Sequence, residues 1–374
     1  MKTILVTGSE GFIGRNLIAA LKRRSDELAV RVTTFTSRDD IETLQNRLRE
    51  ADIVFHLAGA NRPPNEHDFQ MVNTGLTEQI VATIEEMEKP PVVVISSSTQ
   101  AERDNPYGRS KLGAENALTA YHERTGNPVS IYRLPNVFGK WSRPNYNTVV
   151  ATFCHNISRG LDIQINDPSH QITLVYIDEV VRCFLRHVDA ETPLSSRESV
   201  DETFDITVGE LADKIREVHA IRQTLKVPDL SDRMTKYLYS TYLSFLDEQD
   251  FAGSVDLKVD DRGWLFELIK SDTFGQMFVS TTKPGITRGN HYHDTKVEKF
   301  CLIHGEGIIR FRLPERDDIV EYPVNDQEIK VVDIPPGYTH SIENTGSNSM
   351  IVLFWANEVF DPNRMDTYWV PVIK

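Results

Sequence analysis

Two groups of residues in this chain have the types and spacing to do chemistry. The first is Tyr107-Gly-Arg-Ser-Lys111. A tyrosine and a lysine four positions apart share one face of a helix. An ammonium beside a phenol lowers its pKa from about 10 toward the working range, and such a phenol can give a proton to a carbonyl oxygen under reduction. Upstream, Ser96-Ser97-Ser98 ends an apolar run, where a hydroxyl can hold the same oxygen. The second group is His291-x-His293-x4-Glu298, followed by His340 after the Pro335-Pro336-Gly337 turn. Imidazoles that alternate along a strand point to the same side. With a carboxylate and a third imidazole they suit Zn, Fe, Mn or Ni, with positions left for water or substrate. A lone His-x-His is ordinarily solvated or structural, but four ligand residues at both spacings point to a metal.

The elements that position the first group begin at the amino terminus. Thr7-Gly8-Ser9-Glu10-Gly11-Phe12-Ile13-Gly14 follows the apolar strand Thr3 to Thr7 and opens an amphipathic helix, Asn16 to Arg24. Gly8 allows the tight turn, Gly11 lets a pyrophosphate approach backbone N–H groups, and Gly14 lets the helix pack on the strand. A bare glycine pattern is common by chance; the strand before it and the helix after it make it specific. NAD-binding folds usually place an acidic residue after the second strand. This chain has Phe35-Thr36-Ser37-Arg38, which suits a 2′-phosphate, so NADPH is the expected cofactor, with Arg15 assisting. Leu57-Ala58-Gly59 is expected beneath the cofactor and Asn73 on its nicotinamide side. Asn136, Lys140, Arg143 and Asn147 follow the strand Val129 to Leu134 and are the substrate-holding candidates.

Short apolar runs (Ala29 to Phe35, Asp52 to Leu57, Pro91 to Ser96, Val129 to Leu134) alternate with helical stretches such as Thr77 to Glu88. That pattern predicts right-handed βαβ units and a parallel sheet. It stops near residue 245. Beyond the polar stretch Phe245 to Val259, short strands with Gly, Pro, Asn and Asp turns predict an all-β sandwich or barrel. The expected organisation is a Rossmann-type, doubly wound α/β domain over 1–245 and an all-β metal-binding domain over 246–374.

The 374 residues carry a net charge of −14. Such an acidic chain gains nothing from a phosphate backbone, so nucleic-acid binding is excluded as a function class. No apolar stretch approaches the ~20 residues that cross a bilayer, and no signal peptide is read ahead of Lys2. The 3 scattered cysteines argue for free thiols in a reducing cytoplasm. His170, His187, His219 and His304 read as surface or core residues, and Tyr237 to Phe245 as packing. Arg310 and Arg312 share a strand face and could reach a diphosphate or simply meet solvent.

On the glycine turn, the serine strand and the Tyr-x3-Lys unit, the first domain resembles the extended short-chain dehydrogenase/reductases. That family uses a Ser, Tyr and Lys set, which falls here on Ser98, Tyr107 and Lys111. The loop from the serine strand to Tyr107 is shorter than most members have. The histidine motifs resemble those of cupins, which implies a cupin barrel, although Ile329 stands where a glycine usually opens the second motif. The fusion of the two, with Asn61-Arg-Pro, Asp104-Asn-Pro-Tyr107, Phe138-Gly-Lys-Trp141 and Lys283-Pro-Gly-Ile-Thr287, resembles the bifunctional enzymes of capsular polysaccharide synthesis.

This resemblance implies a UDP-2-acetamido-2,6-dideoxy-4-ketohexose as substrate. The cupin, holding a divalent metal with zinc foremost, would epimerise C3. The reductase would then reduce the C4 ketone with NADPH, on the route to UDP-N-acetyl-L-fucosamine. A C4 ketone acidifies the C3 hydrogen, and reduction removes that acidity, so epimerisation belongs first. The base at C3 is left open among Lys283, Tyr338 and a metal-bound water. The resemblance also implies a cytoplasmic homodimer. Three other readings stand beside it: a reductase whose cupin only binds or dimerises, an NADP-binding regulator without turnover, and a 4,6-dehydratase or 4-epimerase that recycles its nicotinamide.

Overall fold

The computed structural model describes residues 1–61, 63, 65–190 and 196–374; Arg62, within the Asn61-Arg-Pro segment, lies outside them. The chain divides into two compact units: Met1–Arg216 with Tyr237–Leu246, and Glu217–Lys236 with Asp247–Lys374.

In the first unit the strands are β1 (Lys2–Thr7), β2 (Val30–Phe35), β3 (Ile53–His56), β4 (Val92–Ser98), β5 (Val129–Leu134), β6 (Asn136–Phe138), β7 (Gln171–Tyr176), β8 (Ser196–Glu198) and β9 (Phe204–Thr207). Six form one parallel sheet in the order β2-β1-β3-β4-β5-β8, and β6, β7 and β9 form a smaller one. The central strands are covered on both faces, so they read as apolar runs without alternation: Ile4, Leu5, Val54, Phe55, Val93 and Val94 have no exposed surface. The order reverses between β1 and β3, which opens a crevice at their carboxyl ends.

Gly8 sits at that crevice with φ +66°; a Cβ there would lie 2.6 Å from the Ala58 nitrogen, so only glycine fits. The helix Phe12–Arg23 starts at Gly11 with no side chain capping it, leaving its first N–H groups without helical partners. The helix Pro106–Thr125 carries the tyrosine and lysine. It opens with Asn105, whose Oδ1 accepts from the Gly108 N–H at 2.8 Å, and with Pro106 in the first turn; it ends at Gly126. Gly108 lets the helix close on the turn before it, since a Cβ would meet the Gln100 carbonyl at 2.3 Å. That close approach, with the short helix Thr99–Glu102, is how so brief a loop reaches from β4 to Tyr107.

The strands of the second unit are β10 (Lys258–Asp260), β11 (Gly263–Ser271), β12 (Gly275–Thr282), β13 (Thr287–Tyr292), β14 (Glu298–His304), β15 (Glu306–Arg312), β16 (Val320–Asn325), β17 (Val331–Ile334), β18 (Thr339–Asn344), β19 (Met350–Ala356) and β20 (Tyr368–Trp369). They pair antiparallel into two sheets, β10-β11-β12-β19-β14-β17 and β16-β15-β18-β13-β20. Among the described residues the hydrogen bonds make these two sheets and no closed barrel; the strand pattern had allowed a sandwich or a barrel, and the resemblance to cupins had implied the barrel. Phe300, Leu302, Val352 and Phe354 from one sheet meet Ile309, Phe311, Val324 and Ile342 from the other in a single core. Each such side chain contributes about 1.5–3 kcal/mol on burial. Strand β14 alternates buried and exposed positions, with Glu298 on the buried side. Among the described residues no helix is long and apolar enough to cross a membrane.

Candidate active site and candidate metal centre

A cavity of about 1500 Å³ opens at the crevice of the first unit. It exceeds the ~300–1,000 Å³ of an ordinary single-ligand pocket, which leaves room for a dinucleotide beside a second ligand. Gly8, Gly11, Phe12, Ile13, Gly14, Arg15, Leu57 and Gly59 line one part of it. Ser98, Tyr107, Lys111, Asn136, Arg143 and Asn147 line another.

The three serines of β4 have different partners. The Ser97 hydroxyl donates to the Glu115 carboxylate at 2.5 Å, and the Ser96 carbonyl accepts from the Lys111 ammonium at 3.1 Å. Ser98 lines the cavity with Tyr107 and is the serine that bears on the acidity of its phenol; its hydroxyl accepts from the Gln100 N–H at 3.1 Å. Burial pushes the Tyr107 phenol above its ordinary value, against the hydrogen bond with Ser98. The sequence reading expected the reverse. Desolvation by burial is the larger influence on the phenol, and the Lys111 ammonium donates to the Ser96 carbonyl. Burial also pushes the Lys111 ammonium down to about 8, against the opposing charge of Glu115.

Glu115 sits one helical turn after Lys111, fully buried, and receives Arg133 on both oxygens, Nε at 2.9 Å and a terminal nitrogen at 2.6 Å. Arg133 reaches on to Glu102 at 2.8 Å. This network backs the Ser-Tyr-Lys set, and sequence reasoning missed it, although the i, i+4 spacing of Lys111 and Glu115 was a visible signal.

Four of the sequence candidates do not line the cavity: Arg38, Ala58, Asn73 and Lys140. Arg38 is an exposed side chain paired with Glu10 of the glycine turn. Asn73 is buried; its amide receives the Ala60 N–H at 2.8 Å and donates to the Ser110 hydroxyl at 2.9 Å, tying the loop after β3 to the tyrosine helix. The Lys140 ammonium lies 2.6 Å from Asp178. Asn136 donates to the Thr173 carbonyl at 3.0 Å, Arg143 lies over the Tyr146 ring at 5.0 Å, and Asn147 donates to Asn61 at 3.3 Å. Two carboxylates follow Arg38. The Asp39 carboxylate accepts the Thr36 N–H at 2.8 Å and pairs with Arg47, and Asp40 caps the next helix through the Thr43 N–H at 2.8 Å.

In the second unit His291, His293, Glu298 and His340 converge, each offering one ligand atom within 4.8 Å of the others. The Glu298 carboxylate lies 3.4 Å from His293 Nε2 and 3.5 Å from His340 Nε2. These are longer than good hydrogen bonds, and both nitrogens, with His291 Nδ1, are buried without a partner. Ligand atoms about 2.1 Å from one tetrahedral ion stand roughly 3.4 Å apart. The donor set therefore fits a divalent cation, which would satisfy three otherwise costly polar atoms. Burial lowers the His291 imidazole to about 4, helped by its neighbours His340 and His293. For Glu298, burial opposes the charged form, but the facing imidazoles outweigh it and hold the carboxyl well below its usual range.

His293 lies one residue beyond β13 and not, as the sequence reading had it, on the same strand as His291. A bulge at Asn290, with φ +66°, re-aims His291. Asp366 lies 73 positions from His293, and no local signal announced it. Its carbonyl accepts from His293 Nδ1. Its carboxylate accepts the N–H groups of Asp294, Thr295 and Lys296, each at 2.8 Å, and the Thr295 hydroxyl at 3.0 Å. Arg310 is paired with Glu321 and Glu343, and the buried Arg312 donates to backbone carbonyls of Val372, Leu313, Pro314 and Arg316. Both have structural partners that account for them without a diphosphate. Of the other base candidates, Lys283 is exposed and Tyr338 packs against the core.

The parallel sheet, the glycine turn and the Ser-Tyr-Lys set are features of one class, and the chain belongs to the NAD dependent epimerase/dehydratase family, whose model matches residues 4–198. Residues 258–368 match the polysaccharide biosynthesis C-terminal domain. Along almost its whole length the chain is similar to a UDP-2-acetamido-2,6-beta-L-arabino-hexul-4-ose reductase from Pseudomonas aeruginosa, 44% identical over 98% of this chain and 97% of that protein. It is also similar to the crystal structure of the capsular polysaccharide assembling protein CapF from Staphylococcus aureus, 43% identical, TM-score 0.91, over 99% of this chain and 100% of that one. A UDP-glucuronic acid 4-epimerase from Bacillus cereus, crystallised with UDP-glucuronic acid and NAD, shares the fold over 58% of this chain and 83% of its own, with a TM-score of 0.52 and 19% identity.

Proposed function

We propose that this chain is a bifunctional nucleotide-sugar enzyme of capsule polysaccharide synthesis. Its second unit, read as a cupin, epimerises C3 of a UDP-2-acetamido-2,6-dideoxy-4-ketohexose. Its first unit reduces the C4 ketone with NADPH to give UDP-2-acetamido-2,6-dideoxy-L-talose, on the route to UDP-N-acetyl-L-fucosamine. The observation that carries the reading is that Ser98, Tyr107 and Lys111 line one cavity with room for two ligands, the glycine turn lining its other part. The chain that holds it is 44% identical to a 4-ketosugar reductase.

The nicotinamide cofactor supplies hydride when bound. Tyr107 gives its proton to the C4 oxygen, and burial, which keeps the phenol protonated, suits that role. Ser98 holds the same oxygen, and Lys111 provides positive charge beside it. NADPH is favoured over NADH because Asp39 and Asp40 are both engaged in local hydrogen bonds, which leaves Arg38 as the charged side chain after β2 with only Glu10 to displace. His291, His293, Glu298 and His340 would hold the divalent ion, zinc foremost, which supplies positive charge for an oxygen that turns anionic as the C3 proton leaves. On the resemblance alone, the protein acts as a cytoplasmic homodimer.

The test is incubation with the UDP-4-ketosugar in heavy water, with and without NADPH. Deuterium should enter C3 without NADPH, and NADPH should be consumed with retention of the label. A Tyr107→Phe variant should keep the exchange and lose NADPH oxidation. Undiminished oxidation in that variant would remove Tyr107 from the mechanism.

A further inference from the structure

Beyond β6 the chain runs along the cavity of the first unit, and Trp141, Ser142, Arg143, Tyr146 and Asn147 all line it. Trp141 is the large side chain of this loop that the reading of the site leaves unused. Its backbone is left-handed, φ +68°, a conformation that strains a bulky residue and that glycine adopts freely. Its ring is 43% exposed. Backbone strain of this kind gathers at walls that touch ligands. Two contacts hold the ring beside the glycine turn. The Asn16 side-chain amide donates to the Lys140 carbonyl at 3.3 Å, and the Arg15 guanidinium lies over the indole at 5.4 Å. Both partners stand near the start of the helix Phe12–Arg23, whose uncapped first turn lines the same cavity. Next in sequence, the Ser142 hydroxyl is buried and meets no partner. Such an orphan marks a place that a ligand or a water completes.

We propose that Trp141 is a cofactor-binding residue: its indole packs over the pyrophosphate-bearing middle of NADPH and, with Arg15 against its face, closes the dinucleotide part of the cavity to water. This rests on the nicotinamide cofactor proposed above. Position selects the dinucleotide over the sugar nucleotide. A pyrophosphate on the uncapped helix start neighbours Arg15, and an indole stacked on that guanidinium stands at the same end of the cavity. A guanidinium backed by an aromatic face keeps its N–H edge free for phosphate oxygens. Arg143 over Tyr146 repeats the pairing further along the loop, which leaves a second such cation for the sugar nucleotide.

The experiment uses the full-length chain with Trp141→Gly and Trp141→Phe variants. Of the 4 tryptophans, Trp141 alone belongs to the first unit. Four quantities are read: NADPH affinity, energy transfer from tryptophan to the bound reduced nicotinamide, melting temperature, and the affinity for UDP. The Gly variant removes the ring and relieves the left-handed strain, so it should melt no lower than the parent. It should bind NADPH roughly 5- to 20-fold more weakly and UDP as the parent does. The Phe variant should keep most of the affinity and lose part of the energy transfer. Parental NADPH affinity in the Gly variant overturns the assignment. So does unchanged transfer in the Phe variant, or weakened NADPH binding together with a fallen melting temperature, which would make the ring a structural support. Weakened UDP binding beside parental NADPH binding would hand Trp141 to the sugar nucleotide and equally overturn it. If the parent itself binds no NADPH, the cofactor reading fails; a parent that binds it beside an unaffected variant sinks Trp141 alone.

Discussion

Asp366 offers the sharpest handle on the proposed metal centre, because it braces the loop between His293 and Glu298 without belonging to the candidate ligand set. Replacing it by alanine deletes four hydrogen bonds, three from backbone N–H groups at 2.8 Å and one from the Thr295 hydroxyl at 3.0 Å. A hydrogen bond to a charged acceptor contributes about 1.5–3 kcal/mol when buried. Asp294 and Thr295 are exposed here, so about 0.5–1 kcal/mol apiece is the fair figure, roughly 2–4 kcal/mol for the loop. The backbone carbonyl that receives His293 Nδ1 survives the substitution but loses the anchor that places it. Loss of such outer support typically weakens metal binding 10–100-fold, about 1.4–2.8 kcal/mol, which lies within what the loop gives up. Competition of zinc between the full-length variant and a chromogenic chelator measures this directly. An affinity within twofold of the parent, at an unchanged melting temperature, would mean that the loop holds itself, and the reasoning would be wrong.

Three further outcomes follow from the first unit. Burial pushes the Lys111 ammonium down to about 8 in the folded chain, from 10.5 for the free side chain. Between those values the unfolded chain keeps a proton that the folded chain has released, so stability rises with pH across that window. Denaturant titrations near pH 7 and near pH 10 should show the parent gaining up to about 3 kcal/mol on a Lys111→Met variant; a constant difference would refute the shift. Glu115→Ala leaves the Arg133 guanidinium without its buried partner and should destabilise the first unit by about 3–5 kcal/mol, read from chemical denaturation. Arg38→Ala should cut the preference for NADPH over NADH at least tenfold in kcat/KM, and an unaltered preference would assign the 2′-phosphate to another cation.

What the sequence made legible was periodic or local. The apolar runs of β1, β3, β4 and β5 and the glycine turn are visible because each is a contiguous string whose physics is set by near neighbours. Short strands such as β8, β10 and β20 carry too few residues for a period to show. The partners that decide which candidate faces the cavity are remote in sequence. Lys140 is taken by Asp178, 38 positions on, and Asn73 turns inward because Ala60 and Ser110 meet it there. The behaviour of Tyr107 was misread for a related reason: spacing gives the shared helix face, but the direction of the Lys111 ammonium depends on the Ser96 carbonyl of another strand. Asp366 was the most hidden of all, since a carboxylate in a polar stretch looks like any other until the chain folds back.

That fold-back has a consequence for how the second unit comes to maturity. Strand β20 pairs with β13 beside His291, the Val370 N–H donates to the Asn290 carbonyl at 2.9 Å, and Arg312 clasps the Val372 carbonyl at 2.8 Å. Residues 366–372 are synthesised after every ligand they brace. A chain that lacks this segment carries all four donors yet not the clasp that orients them, so removal of residues 366–372 would be expected to leave the first unit folded and the His/Glu cluster a poor holder of a divalent ion.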